Sequence, residues 1–495
     1  MPHRERARPG RGLPSPRARH ETRWIVAALC TGTILSALNS GMVAVSLSTL
    51  RRVFAVDVAT VTWVISAFYV ASAVLQPLMG RLADRYGPRR VFGFGMGAVI
   101  LAGAVGPFAP DLVALCAVRV LLAVGTAAAF PSAAAMLRAI AATEGGDGRR
   151  LIARVQLIDT SAAAVGPVLG GLLIVTSGWE AIFWINVPLA ALALVSTALL
   201  APADPPRERV PFSQTLREAD VPGVVLFIAT VVALLLFVLG LPQGPSWPLL
   251  AGTLLAGVLF AWRELRAATP FLDLRLLARD VPLLRVYALF VLANLVLYSA
   301  LFGLPQYLED HAGYRADVVG LLLLPLAAFN AVMAPVAERL IDRRGLRTAM
   351  VVGTAALGGG TLMLPLLAVT TTPVAVLAAT AAIGIPYVIV LVSITQSLTA
   401  ASPPGHAGQA AGLFQTARSL GSTAAGVIVA LAFTGGTDPA EWSLLATVTA
   451  ALAVVLLVVV LVWRGAEAPR RRAPRRPSSA RAPRPDRDAS RRRTR

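Results

Sequence analysis

Cysteine, histidine and lysine are the scarcest residues of this chain, and each scarcity excludes a class of site. Only Cys30 and Cys116 occur, both in apolar segments, so neither a disulfide framework nor a thiolate metal site is expected. The four histidines lie in tails or loops, which excludes a histidine relay or metal cluster inside a membrane. The sequence holds no Ser/His/Asp set and no phosphate-cradling loop, so we predict neither an enzyme nor a cofactor.

Charge is also scarce within the body of the chain. Charged residues make up 14% and hydrophobic residues 56% of the 495 residues, and the mean hydropathy is +0.70. This composition indicates a polytopic membrane protein. Most of the net charge of +19 belongs to two arginine-rich tails, 1–23 and 464–495. No aromatic residues interleave with that charge, so we interpret the tails as solvated ends near anionic lipid rather than nucleic-acid-binding arms.

Long hydrophobic runs are abundant instead. Runs of about 18–25 apolar residues, which cross a bilayer core of about 30 Å as helices, recur along the whole chain. We place fourteen spans near 24–46, 61–80, 91–109, 112–135, 153–176, 182–201, 222–240, 247–263, 284–306, 318–337, 348–368, 374–397, 410–433 and 442–463.

The arginines of the connecting loops predict the orientation. With a cytoplasmic N-terminus, the inner loops hold nearly all loop arginines, and the outer loops hold only Arg51, Arg52 and Arg315. All eight tryptophans lie at span ends, where amphipathic rings favour the membrane interface. We therefore predict a multi-pass protein of the plasma (inner) membrane with both termini in the cytoplasm.

Two short charged loops indicate two related halves. GRLADRYGPRR at 80–90 and ERLIDRRGLR at 338–347 each lie between apolar spans and place Asp84 and Asp342 at equivalent positions. Internal repeats of this kind are typical of secondary transporters. We predict an all-α membrane fold of 6+2+6 helices. Its parts are a basic tail 1–23, a six-helix half 24–201, a linker with two inserted helices 202–283, a second half 284–463 and a disordered tail 464–495.

Four motifs resemble one known family. GRLADRYGPRR resembles the signature between helices 2 and 3 of the major facilitator superfamily, and VGPVLGG at 165–171 resembles its antiporter motif. GWEAIFWINVP at 178–188 and GQAAGLFQTARSLG at 408–421 resemble segments of the fourteen-span drug:proton antiporters, the multidrug and antibiotic efflux type. The resemblance implies the major facilitator fold and a proton-driven exporter of drug-like or secondary-metabolite compounds that works by alternating access.

The resemblance also implies roles for the motif residues. The twin loops would latch the two halves at the cytoplasmic face in the outward-open state, with Asp84 near Arg418 and Asp342 near Arg154. Alternatively, their arginines only hold the loops in the cytoplasm. The expected latch residues are Gly80, Asp84, Arg85, Gly87, Arg90, Asp342, Arg343 and Arg418. The antiporter motif, which would seal the cavity against proton leak or simply pack closely, comprises Gly166, Pro167, Gly170 and Gly171.

Ionisable residues inside spans are the candidates for proton coupling, because a charge in hydrocarbon is costly unless it is paired or wetted. Arg119 matches a family arginine linked to proton transfer. Asp159 would load and release a proton, unless it pairs with Arg119 or, near the interface, with Arg154. Asn39 stands where proton-coupled relatives carry an aspartate, so coupling must use another group, have an altered stoichiometry or be absent.

The remaining polar residues of the spans are uncharged. They suit a neutral, anionic or amphipathic organic molecule better than a dication, although each could instead form a helix–helix hydrogen bond. The candidates for the substrate cavity are Asn39, Tyr69, Asn294, Tyr298, Asn330, Tyr387 and Gln396.

Two alternatives to a proton-coupled exporter remain open at this point. One is a facilitator or importer on the same fold without antiport, and the other is a non-transporting membrane protein whose tails are the working part. The expected partners are the lipid bilayer, a small organic substrate and protons, with no nucleic acid, and the expected state is a monomer.

Overall fold

The computed structural model of the chain contains helices and no strands in the part that it describes. The described residues are 16–144, 148–204, 220–241, 244–267, 270, 274–275, 280–401 and 407–462. The C-terminal tail and most of the predicted linker lie outside the described residues.

Sixteen α-helices of four residues or more follow one another in the named elements of these ranges. They are α1 Pro16–Phe54, α2 Val58–Tyr86, α3 Pro88–Val105, α4 Leu112–Glu144, α5 Gly148–Ser177, α6 Ala181–Trp184, α7 Asn186–Leu200, α8 Val221–Gly240, α9 Trp247–Arg266, α10 Val281–Asp310, α11 Ala316–Ala328, α12 Asn330–Arg344, α13 Leu346–Thr361, α14 Pro373–Ala401, α15 Ala407–Ala432 and α16 Pro439–Val462.

Each predicted span coincides with helix in the described residues. Eleven helical segments are long and apolar enough to cross a membrane, and shorter apolar helices cover Val165–Ser177 and Ala316–Leu326. Helix satisfies every backbone N–H and C=O within the segment, which hydrocarbon requires. Three spans are interrupted in the described residues: between α6 and α7, between α11 and α12 at Phe329, and after Thr361, where two residues separate α13 from a 3-10 helix at Leu364–Ala368. The first helix begins at Pro16, earlier than the predicted Trp24, because proline suits a helix start and the polar residues that follow include good helix formers.

The helices alternate in direction, so their connections collect at two ends of the bundle. One end, called the Asp57 end here, carries residues 55–57, 109–111, 178–180 and 311–315. The other, called the Gly87 end, carries Gly87, Gly345 and the C-terminal ends of α7 and α14. A helix that starts at one end therefore finishes at the other.

Small residues set the helix contacts of the N-terminal half. Gly41 of α1 lies against Gly166 and Pro167 of α5, and Gly95 of α3 lies against Gly125 of α4. At both crossings a Cβ added to the glycine would come within 3 Å of the opposite helix, so only glycine allows the backbones to approach this closely.

The predicted inserted pair, α8 and α9, packs through α8 on one helix from each predicted half. Phe227 of α8 and Phe260 of α9 hold the pair together with ring centroids 5.6 Å apart. Leu235 of α8 forms a buried apolar cluster with Val70 of α2 and Val427 of α15. The pair thus rests on the seam between the two halves, and most of its other apolar side chains are exposed, as lipid-facing side chains are.

Asp220 anchors this pair at the Gly87 end. Its carboxylate caps α8 by accepting a bond from the Gly223 N–H, and it forms an ion pair with Arg263 of α9 at 2.6 Å. Asp220 is 1% exposed. Loss of this carboxylate is costly, because the cap of α8 and the ion pair to the partly exposed Arg263 are lost together.

We expect Asp220→Ala to lower the thermal midpoint of the purified protein, with a loss of about 1–3 kcal/mol in the free energy of unfolding. Asp280→Ala is the matched control, because Asp280 caps α10 with the same bond to Leu283 N–H at 3.1 Å. Differential scanning fluorimetry of both variants measures the difference. An equal effect of the two substitutions would contradict a stabilising role for the Arg263 pair.

Candidate functional site

An aromatic and polar cluster lies halfway along the bundle, where the two halves meet. Tyr69 of α2 packs edge-on against Tyr298 of α10, with ring centroids 5.7 Å apart, and Phe302 flanks both rings. Tyr387 of α14 donates to the Asn294 amide oxygen at 3.4 Å. All these side chains are buried. Four of the seven predicted cavity residues, Tyr69, Asn294, Tyr298 and Tyr387, are thus brought together.

The other three predicted cavity residues lie apart from this cluster or remain undefined. Asn39 donates to the Asn186 amide oxygen at 2.6 Å and to the Leu35 carbonyl, so it joins α1 to α7 within one half. Gln396 is half-buried near the Gly87 end of α14. Asn330 begins α12, and its side chain lies outside the described residues.

Arg418 belongs to the tyrosine cluster by position. It lies eleven residues into α15, and its guanidinium donates to the Tyr298 hydroxyl at 3.2 Å. At 1.5 Å per residue this is about 16 Å from the helix start, whereas Asp84 lies two residues before the end of α2. The sequence predicted Arg418 as a latch residue, and that role stays a prediction beside its bond to a cavity tyrosine.

The twin charged loops share one backbone conformation. Gly87 has φ +105° and donates to Ala83 O, and Gly345 has φ +88° and donates to Ile341 O. Each follows its aspartate by three residues, and both Asp84 and Asp342 are exposed. Only glycine adopts such φ values without strain, which explains the glycine in both copies.

The remaining predicted latch residues surround these two turns. Arg343 is exposed near the end of α12, Arg85 is half-buried at the end of α2, and Gly80 lies one and a half turns before that end. Arg90 lies in the first turn of α3, where its N–H donates to the Asp204 carboxylate at 3.1 Å. Their part in a latch stays a prediction.

The predicted antiporter motif contacts both halves. Gly166, Pro167 and Gly170 face α1 of their own half. Gly171 faces Ala316 of α11, in the other half, and Gly320 of α11 in turn faces the Pro167 carbonyl. The small residues therefore close the halves onto each other at the Asp57 end.

Arg119 is buried within the N-terminal half. The side chain is 1% exposed, its Nε donates to the Val64 carbonyl at 3.2 Å, and the guanidinium lies 4.3 Å from the centre of the Phe68 ring. Its Nη1 donates to no residue that the structure describes. The described polar contacts of this guanidinium are therefore one hydrogen bond to a carbonyl and one cation–π contact.

Asp159 lies at a different depth from Arg119. The aspartate is eighteen residues before the Asp57 end of α5, and the arginine is seven residues after the same end of α4. These positions correspond to depths of about 27 Å and about 10 Å in straight helices. The predicted alternative of an Arg119–Asp159 pair is disfavoured on this geometry. The side chains of Asp159 and Arg154 lie outside the described residues.

Sequence reasoning missed a charged cluster at the Asp57 end. Arg51 at the end of α1 pairs with Asp310 of α10 at 2.7 Å, and Arg52 contacts Asp310 at 3.2 Å and Glu309 at 3.7 Å. These ion pairs join the two halves. The sequence did contain one indication of this cluster: Arg51 and Arg52 lie in a predicted outer loop, whereas nearly all other loop arginines lie in inner loops.

Comparison with known proteins decides the family. The model of the Major Facilitator Superfamily matches residues 29–426 of the chain. The chain belongs to the major facilitator superfamily. This confirms the fold class predicted from the four motifs, and the division into 6+2+6 helices stays a prediction. The superfamily consists of membrane transporters of small molecules rather than enzymes.

Relatives of this superfamily member cover most of its length. The uncharacterized MFS-type transporter YwoD of Bacillus subtilis is 32% identical over 406 residues, 82% of this chain and 89% of the relative. The tetracenomycin C resistance and export protein of Streptomyces glaucescens is 31% identical over 434 residues, 84% of this chain and 77% of the relative. A solved structure of the xylose transporter XylE from E. coli, in a partially occluded inward open conformation, superposes with a TM-score of 0.60 over 89% of this chain and 98% of that one. At 12% identity this likeness shows the fold alone.

Proposed function

We propose that this chain exports drug-like or secondary-metabolite organic compounds across the plasma membrane by alternating access, driven by proton antiport. The observation that carries the proposal is a buried tyrosine cluster beneath an end of the bundle at which the two halves are joined. Ion pairs and glycine contacts join the halves at the Asp57 end, and the tyrosine cluster lies midway between the ends. A relative with resistance and export in its name supports the outward direction.

The distribution of arginine supports an orientation with the Gly87 end in the cytoplasm. Arg81, Arg89, Arg343 and Arg347 all belong to this end. Arginine accumulates on the cytoplasmic side of membrane proteins. The Asp57 end then faces outward, both termini are cytoplasmic, and the closed Asp57 end corresponds to an inward-facing state.

The tyrosine cluster supports an aromatic, neutral or anionic substrate. Tyrosine rings offer stacking faces and hydroxyl groups, and Arg418 adds a positive charge beside Tyr298. A dication would be repelled by this guanidinium. Opening the halves would separate Tyr69 from Tyr298 and expose both rings to a ligand.

Proton coupling is assigned to Asp159, the carboxylate that the sequence places inside a span. Asn39 carries an amide, which does not titrate. Its side chain is bonded to Asn186 and not to the tyrosine cluster. The same bond favours a second candidate function, a facilitator on this fold without antiport, because the usual coupling position then carries only a structural bond.

The deciding experiment measures proton release from the purified protein in proteoliposomes with a pyranine signal. Tetracenomycin C and a panel of planar aromatic drugs are added, and Asp159→Asn and the exposed loop variant Asp111→Asn are tested beside the parent. We expect compound-dependent proton movement in the parent and Asp111→Asn, and none in Asp159→Asn.

Two results would contradict parts of this proposal. Proton movement that persists in Asp159→Asn shows that another group couples transport. Compound uptake without proton movement in the parent shows a facilitator instead of an antiporter.

A further inference from the structure

Glu309 and Asp310 are adjacent in sequence, but Asp310 forms closer ion pairs than Glu309 does. Asp310 binds both Arg51 and Arg52. Glu309 is more deeply buried, with its side chain 2% exposed, and the guanidinium of Arg52 is 3.7 Å away. Its Oε2 accepts a hydrogen bond from the Ser48 hydroxyl, and its Oε1 accepts none from the residues that the structure describes.

The position of Glu309 gives it access to water when the bundle opens. α10 has 30 residues, so at about 1.5 Å per residue it exceeds a hydrocarbon core of about 30 Å, and its last turn reaches the membrane surface. The carboxylate lies between α1 and α10, which belong to different halves. Separation of the halves at the Asp57 end would expose it to water.

Closing this end places the carboxylate in an environment that suits its neutral form. An ionised carboxylate presents two oxygens that need donors, and burial of an unsatisfied charged oxygen is costly. A protonated carboxyl carries no charge and needs fewer hydrogen-bond donors from its surroundings. In the open state, water solvates the ionised form and removes this difference.

We propose that Glu309 is a proton-binding gate residue: it takes up a proton from the water at the Asp57 end as that end closes, and returns it to the same water as that end opens. Asp310 supplies the permanent ion pairs of the closed end, and Glu309 makes closure depend on pH. The proposal rests on the alternating access of the proposed function and not on its antiport, so a failure of coupling at Asp159 leaves it intact.

The consequence is a pH-dependent conformational equilibrium. Acidification at the Asp57 end shifts the population toward the closed state, by at most about tenfold per pH unit for a single linked proton. With this end outward, an acidic exterior favours return of the empty transporter to the inward-facing state.

The charged groups that face Glu309 in the described residues are few. Arg52 approaches from α1, Asp310 neighbours it on α10, and Arg51 lies behind Asp310. The arginines keep their charge at all relevant pH values. Burial raises the pKa of Asp310, and its two guanidinium partners oppose that shift and favour the ionised form.

His311 is another ionisable side chain near the gate. Its ring stacks on Tyr307 with centroids 5.2 Å apart, and it is exposed. His311→Gln removes its titration and serves as a control, since the pH dependence should persist in that variant.

The test follows the distance between the halves at the Asp57 end. Spin labels are placed at Val53 and Thr372, two exposed positions on different halves. The full-length chain carries Cys30→Ala and Cys116→Ala, and its export activity is verified first. Distance distributions from double electron–electron resonance are recorded from about pH 5 to about pH 8, a range that includes histidine titration.

The variants separate a proton gate from a simple ion pair. We expect the closed fraction of the parent and of His311→Gln to rise as the pH falls. Glu309→Gln, a neutral isostere, should stay closed at every pH, and Asp310→Asn should shift toward open at every pH. If Glu309→Gln opens the end as Asp310→Asn does, Glu309 acts as an ionised partner of Arg52 and the proposal is wrong.

A second variant keeps the test decisive if Glu309→Gln is poorly folded. Ser48→Ala removes the hydroxyl that donates to the ionised carboxylate, so the closed state should depend on protonation more steeply. A parent or a Ser48→Ala chain whose distances do not change with pH would overturn the proposal.

Discussion

A Gly171→Val chain is expected to lose export while it remains folded. A Cβ on Gly171 would overlap the Ala316 carbonyl and lie 3.0 Å from the Asp317 Cα, so valine collides with the backbone of the other half. Overpacking of this kind costs about 1–3 kcal/mol, which lowers the ratio of closed to open molecules about 5-fold to 150-fold. Export by cells and the Val53–Thr372 distance distribution measure the two effects.

Two glycines provide matched controls for this substitution. Gly170→Val directs its side chain at Met42 of the same half, where a Cβ would lie 2.7 Å from the Met42 Cα, so it should lower thermal stability rather than shift the distances. A Cβ on Gly97 would have no atom within 4 Å, and Gly97→Val should behave like the parent. Parental export by Gly171→Val would show that the α5–α11 contact is dispensable.

Replacing Arg119 by methionine is expected to abolish export without loss of stability. The guanidinium is buried on Phe68 with one described acceptor, the Val64 carbonyl, so the fold gains little from its charge. Replacement of buried charges by apolar side chains of similar volume is often neutral or stabilising. An ionisable group kept in the membrane at such a cost points to function. Efflux rate and thermal midpoint, measured on the same preparation, test the two expectations.

The lysine variant distinguishes charge from shape. Arg119→Lys keeps a positive charge but lacks the planar face on Phe68 and the Nε donor to Val64. Partial export by Arg119→Lys beside inactive Arg119→Met would assign the role to charge. A methionine variant that exports normally would contradict a functional role, and one that unfolds would assign Arg119 to stability.

The sequence was sufficient for those features that depend on local pattern. Apolar runs of span length predicted the helices, because a lipid environment leaves helix as the structure that satisfies an isolated segment. The glycines of the twin loops predicted a repeated turn, and Gly87 and Gly345 share that turn. The family followed from motifs that are contiguous in the chain.

Features that depend on contacts between the halves could not be predicted in this way. Glu309 reads in the sequence as an ordinary polar residue at a helix end, and its Ser48 contact is 261 residues away. The bond of Arg418 to Tyr298 likewise depends on where α15 begins, which its motif does not specify. In both cases the contact depends on how far one helix is shifted along its neighbour, and the hydropathy of a sequence does not give that shift.

The inserted pair has a mechanical consequence. Its buried contact with α2 and α15 consists of Val70, Leu235 and Val427, together with neighbouring apolar side chains. Dispersion contacts have no preferred direction and are replaced one for another as surfaces slide. We therefore expect α8 and α9 to let the two halves move relative to each other while they stay in contact with α2 and α15.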